Sequence, residues 1–282
     1  MSSADVDKAK AKSNDVLTQL FNSPVDKAIT RIVKVLSSAA GVDATFCLLG
    51  YGAVLTSAQL QIITRYIAKT TTKERLLAIA LSAKNLSALC SDVRTFLRLW
   101  GLLKIYLGAK AAYLAPPKDG LLKLLSTTQL ASMAGYFYFE NSAYLAGKGV
   151  LTGPGFTPLE LGLKMRKAIY LYGFYLVLDF VRLYRVTQLS AKAASAPQKN
   201  AVPASLGGEK DVAAVDEAAL AKRHAEQKAW YKSLYTDLSY FPLCFHWSGL
   251  VPFPPQYSDL ITGMFCTVAG YVSFKDQLAL AA

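Results

Sequence analysis

The chain has 282 residues, enough for a large core, yet only 18% are charged against roughly 25% in ordinary soluble domains. That apolar background carries a formal net charge of +12, which points to an anionic partner, either nucleic acid or a lipid surface. The four cysteines (Cys47, Cys90, Cys244, Cys266) fit no zinc or CxxC spacing, so they read as buried free thiols rather than metal ligands or disulfides.

Taken in order, Met1 to Lys12 mixes acids and lysines without an apolar stretch, so no secretory signal is expected. Residues 14–36 show helical spacing, with Ser23-Pro24 as a helix start ahead of Ile29, Ile32, Val33 and Leu36. A second apolar helix is predicted over 44–67, loosened by Gly50 and Gly52. The longest helical signal covers 73–107, after a Thr70-Thr71-Thr72 run that can supply an N-cap and before Pro116-Pro117. Helices over 121–147 and 159–189 follow, separated by Gly147, Gly149 and Gly153-Pro154-Gly155. Ala191 to Gly208 lacks aromatics and is rich in Ala, Ser, Pro, Gly and Lys, the composition of a flexible linker. A polar helix over 213–235 and an apolar one over 258–278 complete the chain, with Pro252, Pro254 and Pro255 between them.

The expected fold is therefore an all-α, membrane-associated bundle. Its parts are an N-terminal helical region (1–189), a linker (190–212) and a C-terminal polar helix with an apolar segment (213–282). A bilayer core of roughly 30 Å needs about 20 apolar residues. The first choice for a membrane-embedded segment is 168–184, interrupted by Asp179 and Arg182; 259–274 is second and 44–63 third, giving one to three such segments.

Residues 73–107 carry the functional expectation. Ile79, Leu86, Leu89, Val93, Phe96, Leu97, Trp100 and Leu103 recur at threes, fours and sevens and share one helix face roughly 120° wide. Lys84, Ser87, Ser91, Arg94, Thr95 and Arg98 fall away from it. An in-plane membrane helix needs such a wide apolar face, aromatic anchors and a basic polar face. On this reading the apolar set enters the leaflet while Lys84, Arg94 and Arg98 contact anionic lipid, each cation adding about 1 kcal/mol. A bundle helix with the stripe facing the core has the same periodicity. Glu140 and Asn141, polar residues in an apolar helix, read as a helix-pairing site or the wall of a wet path.

The ordered segments "ERLLAIALSAKNLSALCSDVRTFLRLWGLLKIYLG" (74–108), "YFYFENSAYLAGKGVL" (136–151), "WYKSLYTDLSYFPLCFHWSGL" (230–250) and "GMFCTVAGYVSF" (263–274) resemble the peroxisomal biogenesis factor eleven family, in a fungal-type member. An aromatic stretch with an acid and Asn runs into a Gly-Lys-rich turn, here Phe139-Glu140-Asn141 and Ala146-Gly147-Lys148-Gly149. The resemblance implies a non-enzymatic protein of the peroxisomal membrane that elongates the organelle before fission. It also implies self-association and cooperation with fission factors of the dynamin-related class.

Other chemistry finds no support. His224 and His246 are isolated and cannot build an HExxH site or a triad, and Ser248-Gly249 is not a nucleophile elbow. Gly147-Lys148-Gly149 lacks the phosphate-loop spacing, and Leu280-Ala281-Ala282 is not an SKL-type address. No cofactor, metal or nucleic-acid partner is expected. A membrane pore or solute carrier, with Glu140, Asn141, Asp179 and Arg182 as wall groups, is the second functional reading. A scaffold that recruits fission or tethering proteins through residues 190–235 is the third.

Overall fold

The computed structural model describes residues 18, 21, 23–195 and 209–281, without side chains for 193–195 and 209–219. The described residues form helices α1 (Pro24–Leu36), α2 (Ala39–Ile63), α3 (Thr70–Leu97), α4 (Gly101–Leu114), α5 (Gly120–Gly147), α6 (Pro158–Ser195), α7 (Glu209–Ser248) and α8 (Ser258–Leu280). Short 3₁₀ turns at Thr64–Tyr66, Arg98–Trp100 and Pro154–Phe156 join some of them, and among the described residues no strand occurs.

Local signals set most of the starts. Ser23 caps α1 by accepting from the Asp26 amide at 3.1 Å, and Pro24 occupies the first turn, where a missing N–H costs nothing. Ser38 and Asp119 cap α2 and α5 in the same way. The threonine run differs from expectation: α3 begins at Thr70 with Lys69 at the cap position and no side-chain cap bond, so the threonines lie inside the first turn. The single helix predicted over 73–107 is divided at Arg98–Trp100. There Gly101, without a side chain, lets the backbone close onto the Phe137 ring of α5.

The expected linker overlaps helices at both of its ends. α6 continues through residue 195 and α7 begins at 209; the expectation for 196–208 lies outside the described residues. The C-terminal region does not stand apart either, because α8 packs along α2 and α7 packs on α6. Neighbouring helices close a ring in the order α2, α3–α4, α5, α6, α7, α8 and back to α2, with α1 lying across α2 and α8.

What the ring buries is unusual. Its fully packed positions are mainly small or polar: Ala44, Cys47, Ser57, Ala80, Cys90, Ala143, Ala168, Cys244, Cys266 and Ala269. Large apolar side chains such as Leu49, Leu89, Phe96, Trp100, Leu103, Phe174 and Met264 face outward. A water-soluble bundle sorts its residues the other way. In lipid, apolar side chains gain nothing by moving inward, so small residues and polar pairs hold the helices together. The four cysteines are free and buried in this interior.

The α2–α8 contact shows how close the backbones come. A Cβ on Gly263 would lie 2.8 Å from Leu55 Cα, and one on Gly270 would lie 2.9 Å from Leu48 Cα. The glycines are two helical turns apart, as are their partners, so the two helices run antiparallel in one register. Gly270→Val must push the helices apart, and its expected cost is about 1–3 kcal/mol. The thermal midpoint in detergent should fall by several degrees. Gly162, which has open space around its Cβ position within α6, is the control: Gly162→Ala should hold or raise that midpoint.

Two helical stretches among the described residues are long and apolar enough to cross a membrane, Ala39–Tyr66 and Thr70–Leu114. The first contains the expected third choice, 44–63. The expected first and second choices, 168–184 and 259–274, are not among them. Segment 168–184 carries Asp179 and Arg182 and is flanked by Lys164, Arg166, Lys167 and Arg185.

Candidate functional site

α3 presents two faces. Ala80, Ser87, Cys90 and Arg94, spaced at sevens, threes and fours, turn toward α2 and the ring interior, with Ala80 and Cys90 fully buried. The expected apolar face turns outward: Ile79, Leu86, Leu89, Phe96 and Trp100 are exposed, at 59% for Leu89 and 61% for Trp100, while Val93 and Leu97 are half-buried at its edge. The stripe is therefore not the core-facing side of the bundle.

The arginines require a correction. Read as contacts to anionic lipid, Arg94 and Arg98 instead point inward and are taken by acids of other helices. Arg94 donates from Nε to Asp43 Oδ1 of α2 at 3.0 Å, with only 13% of its side chain exposed, and its guanidinium lies over the Tyr51 ring. Arg98, in the turn between α3 and α4, grips Glu140 of α5 with two bonds, Nε to Oε2 at 2.9 Å and Nη2 to Oε1 at 2.8 Å. Tyr136 donates to Glu140 Oε1 at 2.6 Å, and Thr95 accepts from Arg98 at 3.1 Å. The physical reason is the inverted sorting of the ring: when the apolar face goes out, the guanidinium groups go in and must find partners.

Lys84 differs from both. It is 60% exposed and meets Asp259 of α8 at 3.1 Å, so of the three cations it is the one placed at the surface. An exposed pair of this kind contributes little to stability.

Glu140 and Asn141 both tie α5 to the α3–α4 junction. Glu140 holds Arg98, and the Asn141 amide donates to the Leu99 carbonyl at 3.1 Å, satisfying a backbone acceptor beside the helix break. A further bond runs from Lys148 to Asp92 at 2.6 Å and fixes the far end of α5 against α3.

Sequence reasoning gave α1 no role, yet α1 is the most sharply two-sided helix of the structure. Val25, Ile29, Ile32, Val33 and Leu36 lie on one exposed side, and Lys27, Arg31 and Lys34 are exposed on the other. Val35 packs inward, and Arg31 donates to the Leu278 carbonyl at 3.2 Å, seating α1 on α8. The signal was legible in the spacing of Ile29, Ile32, Val33 and Leu36, which the greater length of the 73–107 pattern overshadowed. His246, by contrast, is structural: its Nδ1 accepts from the Phe253 amide at 2.9 Å and its Nε2 meets Ser258 Oγ at 2.8 Å, which fixes the α7–α8 turn.

Comparison with known proteins places these features in one family. The model of the family Peroxisomal biogenesis factor 11 (PEX11) matches residues 29–278, which includes nearly every described element. Neither the curated proteins nor the solved structures give a match. With an all-α ring, two helices of membrane length and a family match over most of its sequence, the chain belongs to the PEX11 family of peroxisome biogenesis factors, which are proteins of the peroxisomal membrane.

Proposed function

We propose that this protein binds and curves the peroxisomal membrane, elongating the organelle before it divides. The observation that supports this reading is the outward stripe of α3 and the turn after it, with Leu89, Phe96 and Trp100 all more than half exposed. A large apolar side chain moved from water into lipid gains about 1.5–3 kcal/mol. Several such anchors on one side of a ring hold the protein in a leaflet and expand it. α1 adds a second surface of the same kind, with its apolar side toward the acyl boundary and Lys27 and Lys34 left for lipid headgroups.

In this reading Ile79, Leu86, Leu89, Val93, Phe96, Leu97 and Trp100 form the membrane face. Lys84 and the α1 lysines, rather than Arg94 and Arg98, supply attraction to anionic phospholipid. Self-association would concentrate the effect along a tubule, and fission factors of the dynamin-related class would act on the narrowed membrane. The reaction is mechanical, and no catalytic group is assigned.

Reconstitution of the full-length protein tests the proposal. Added to anionic vesicles at rising protein-to-lipid ratio, it should convert spheres into tubules seen by electron microscopy. Raising salt should weaken initial binding of the protein to anionic vesicles, because headgroup attraction is screened over about 10 Å at 0.1 M salt. Vesicles that stay round while a trapped small solute escapes would overturn the curvature reading in favour of a pore.

A further inference from the structure

A second polar cluster lies away from the α3 site, where α5, α6 and α7 meet. Asp179 of α6 and Asp237 of α7 are both almost fully buried, at 3% and 4% exposure. Asp179 is richly supplied with donors: Gln129 of α5 donates to Oδ1 at 2.7 Å, and Arg182 donates from Nε to Oδ1 at 2.6 Å and from Nη2 to Oδ2 at 2.9 Å. Asp237 is not, since its buried Oδ2 has no donor. The carboxyl of Asp237 faces that of Asp179 across the α6–α7 contact, and each influences the other's charge.

The groups facing this pair leave one charge uncompensated. α6 contributes Arg182 and the phenols of Tyr172 and Tyr175, and α5 contributes the neutral Gln129 amide. On the α8 side, Asp276 is held by Lys232 at 2.6 Å and Lys228 at 3.7 Å. With both aspartates ionised, two buried anions would share one guanidinium, and an acceptor-only oxygen would remain unsatisfied. A proton on the Asp237 carboxyl relieves the excess negative charge and turns an acceptor-only group into one that can donate.

We infer that Asp179 and Asp237 form a proton-binding site that holds one proton between them, and that this proton keeps α7 closed on α6. Burial and the neighbouring Asp179 push the Asp237 carboxyl up to about 8, which is consistent with the geometry. Its folded-state value lies above the unfolded one, so the closing contribution is complete in acid and is lost as pH rises through about 8. Loss of the proton places like charges across the α6–α7 contact and loosens it. The interface carries its own reporter: Trp230 of α7 donates from Nε1 to the Leu183 carbonyl of α6 at 3.2 Å, two turns along α7 from Asp237.

The test uses the full-length protein in detergent micelles, with Trp100→Phe and Trp247→Phe leaving Trp230 as the sole tryptophan. Infrared difference spectra on titration from neutral to alkaline pH should show the carbonyl stretch of a protonated carboxylic acid disappearing. Trp230 emission should shift with the same midpoint, near pH 8. Asp237→Asn, whose amide can donate at any pH, should abolish the band and hold Trp230 emission constant across the range. Asp179→Asn should also abolish the band, because Asp237 then ionises beside Arg182. A wild-type protein without the acid band at neutral pH would overturn the inference. So would an Asp237→Asn variant whose Trp230 emission still shifts with the wild-type midpoint. Neither readout involves vesicle shape, so the result stands or falls independently of membrane curvature.

Discussion

Replacing Arg98 with leucine will deplete the protein, whereas replacing Arg98 and Glu140 together will largely restore it. Glu140 has 6% of its side chain exposed and receives both Arg98 bonds and the Tyr136 hydroxyl. Removing the guanidinium leaves a buried carboxylate with only the phenol as donor, and breaking one partner of such a pair costs about 3–5 kcal/mol. Set against a total stability of about 5–15 kcal/mol, that is enough to populate the unfolded chain. The double change Arg98→Leu with Glu140→Met removes both charges and keeps the volume filled, a replacement that is often neutral. Thermal midpoints in detergent and steady-state abundance measure the contrast. Lys84→Leu is the control, since its exposed pair with Asp259 contributes about 1 kcal/mol or less. An Arg98→Leu protein as stable as wild type would mean that the Arg98–Glu140 pair does not hold α5 to the α3–α4 junction.

That contrast also marks where sequence reasoning stops. Periodicity placed the leucines, Phe96 and Trp100 on one side of α3 and the arginines on another, and the structure keeps that division. Periodicity alone does not say which side faces the bundle. The rule that charge faces outward points the arginines away from the bundle, whereas the structure pairs them with acids of neighbouring helices. Their partners could not be found locally: Asp43 is 51 residues from Arg94, and Glu140 is 42 from Arg98. Glu140 and Asn141 were more readable, because a polar group in an apolar helix needs a partner wherever it goes. The break at Arg98–Trp100 depends on the approach of Gly101 to Phe137, a contact between helices that no single helix's pattern encodes. The start of α1 was readable for the opposite reason, since Ser23 and Pro24 act within one turn.

Replacing Leu89 and Phe96 together with glutamate should leave a folded protein that no longer tubulates membranes. Both side chains are more than half exposed, so neither change opens a cavity in the ring or disturbs the Arg94 and Arg98 pairs. The thermal midpoint in detergent should therefore stay close to wild type. In a bilayer the balance is different, because each acid carried to depth costs about 2.5–3.5 kcal/mol. Two of them offset the gain from several half-buried anchors and lift this face out of the leaflet. The remaining apolar surface, including α2 and the side of α1 bearing Ile29 and Val33, still holds the protein on the membrane. The expected phenotype is correct location and normal abundance, with round vesicles in reconstitution and unelongated peroxisomes in cells. Arg94→Glu should do the reverse: it faces Asp43 with like charge, lowers abundance and stability, and affects curvature only through the loss of folded protein. If instead the Leu89 and Phe96 variant unfolds while Arg94→Glu is tolerated, α3 sits with its apolar stripe inward, and the membrane face must be sought on another helix.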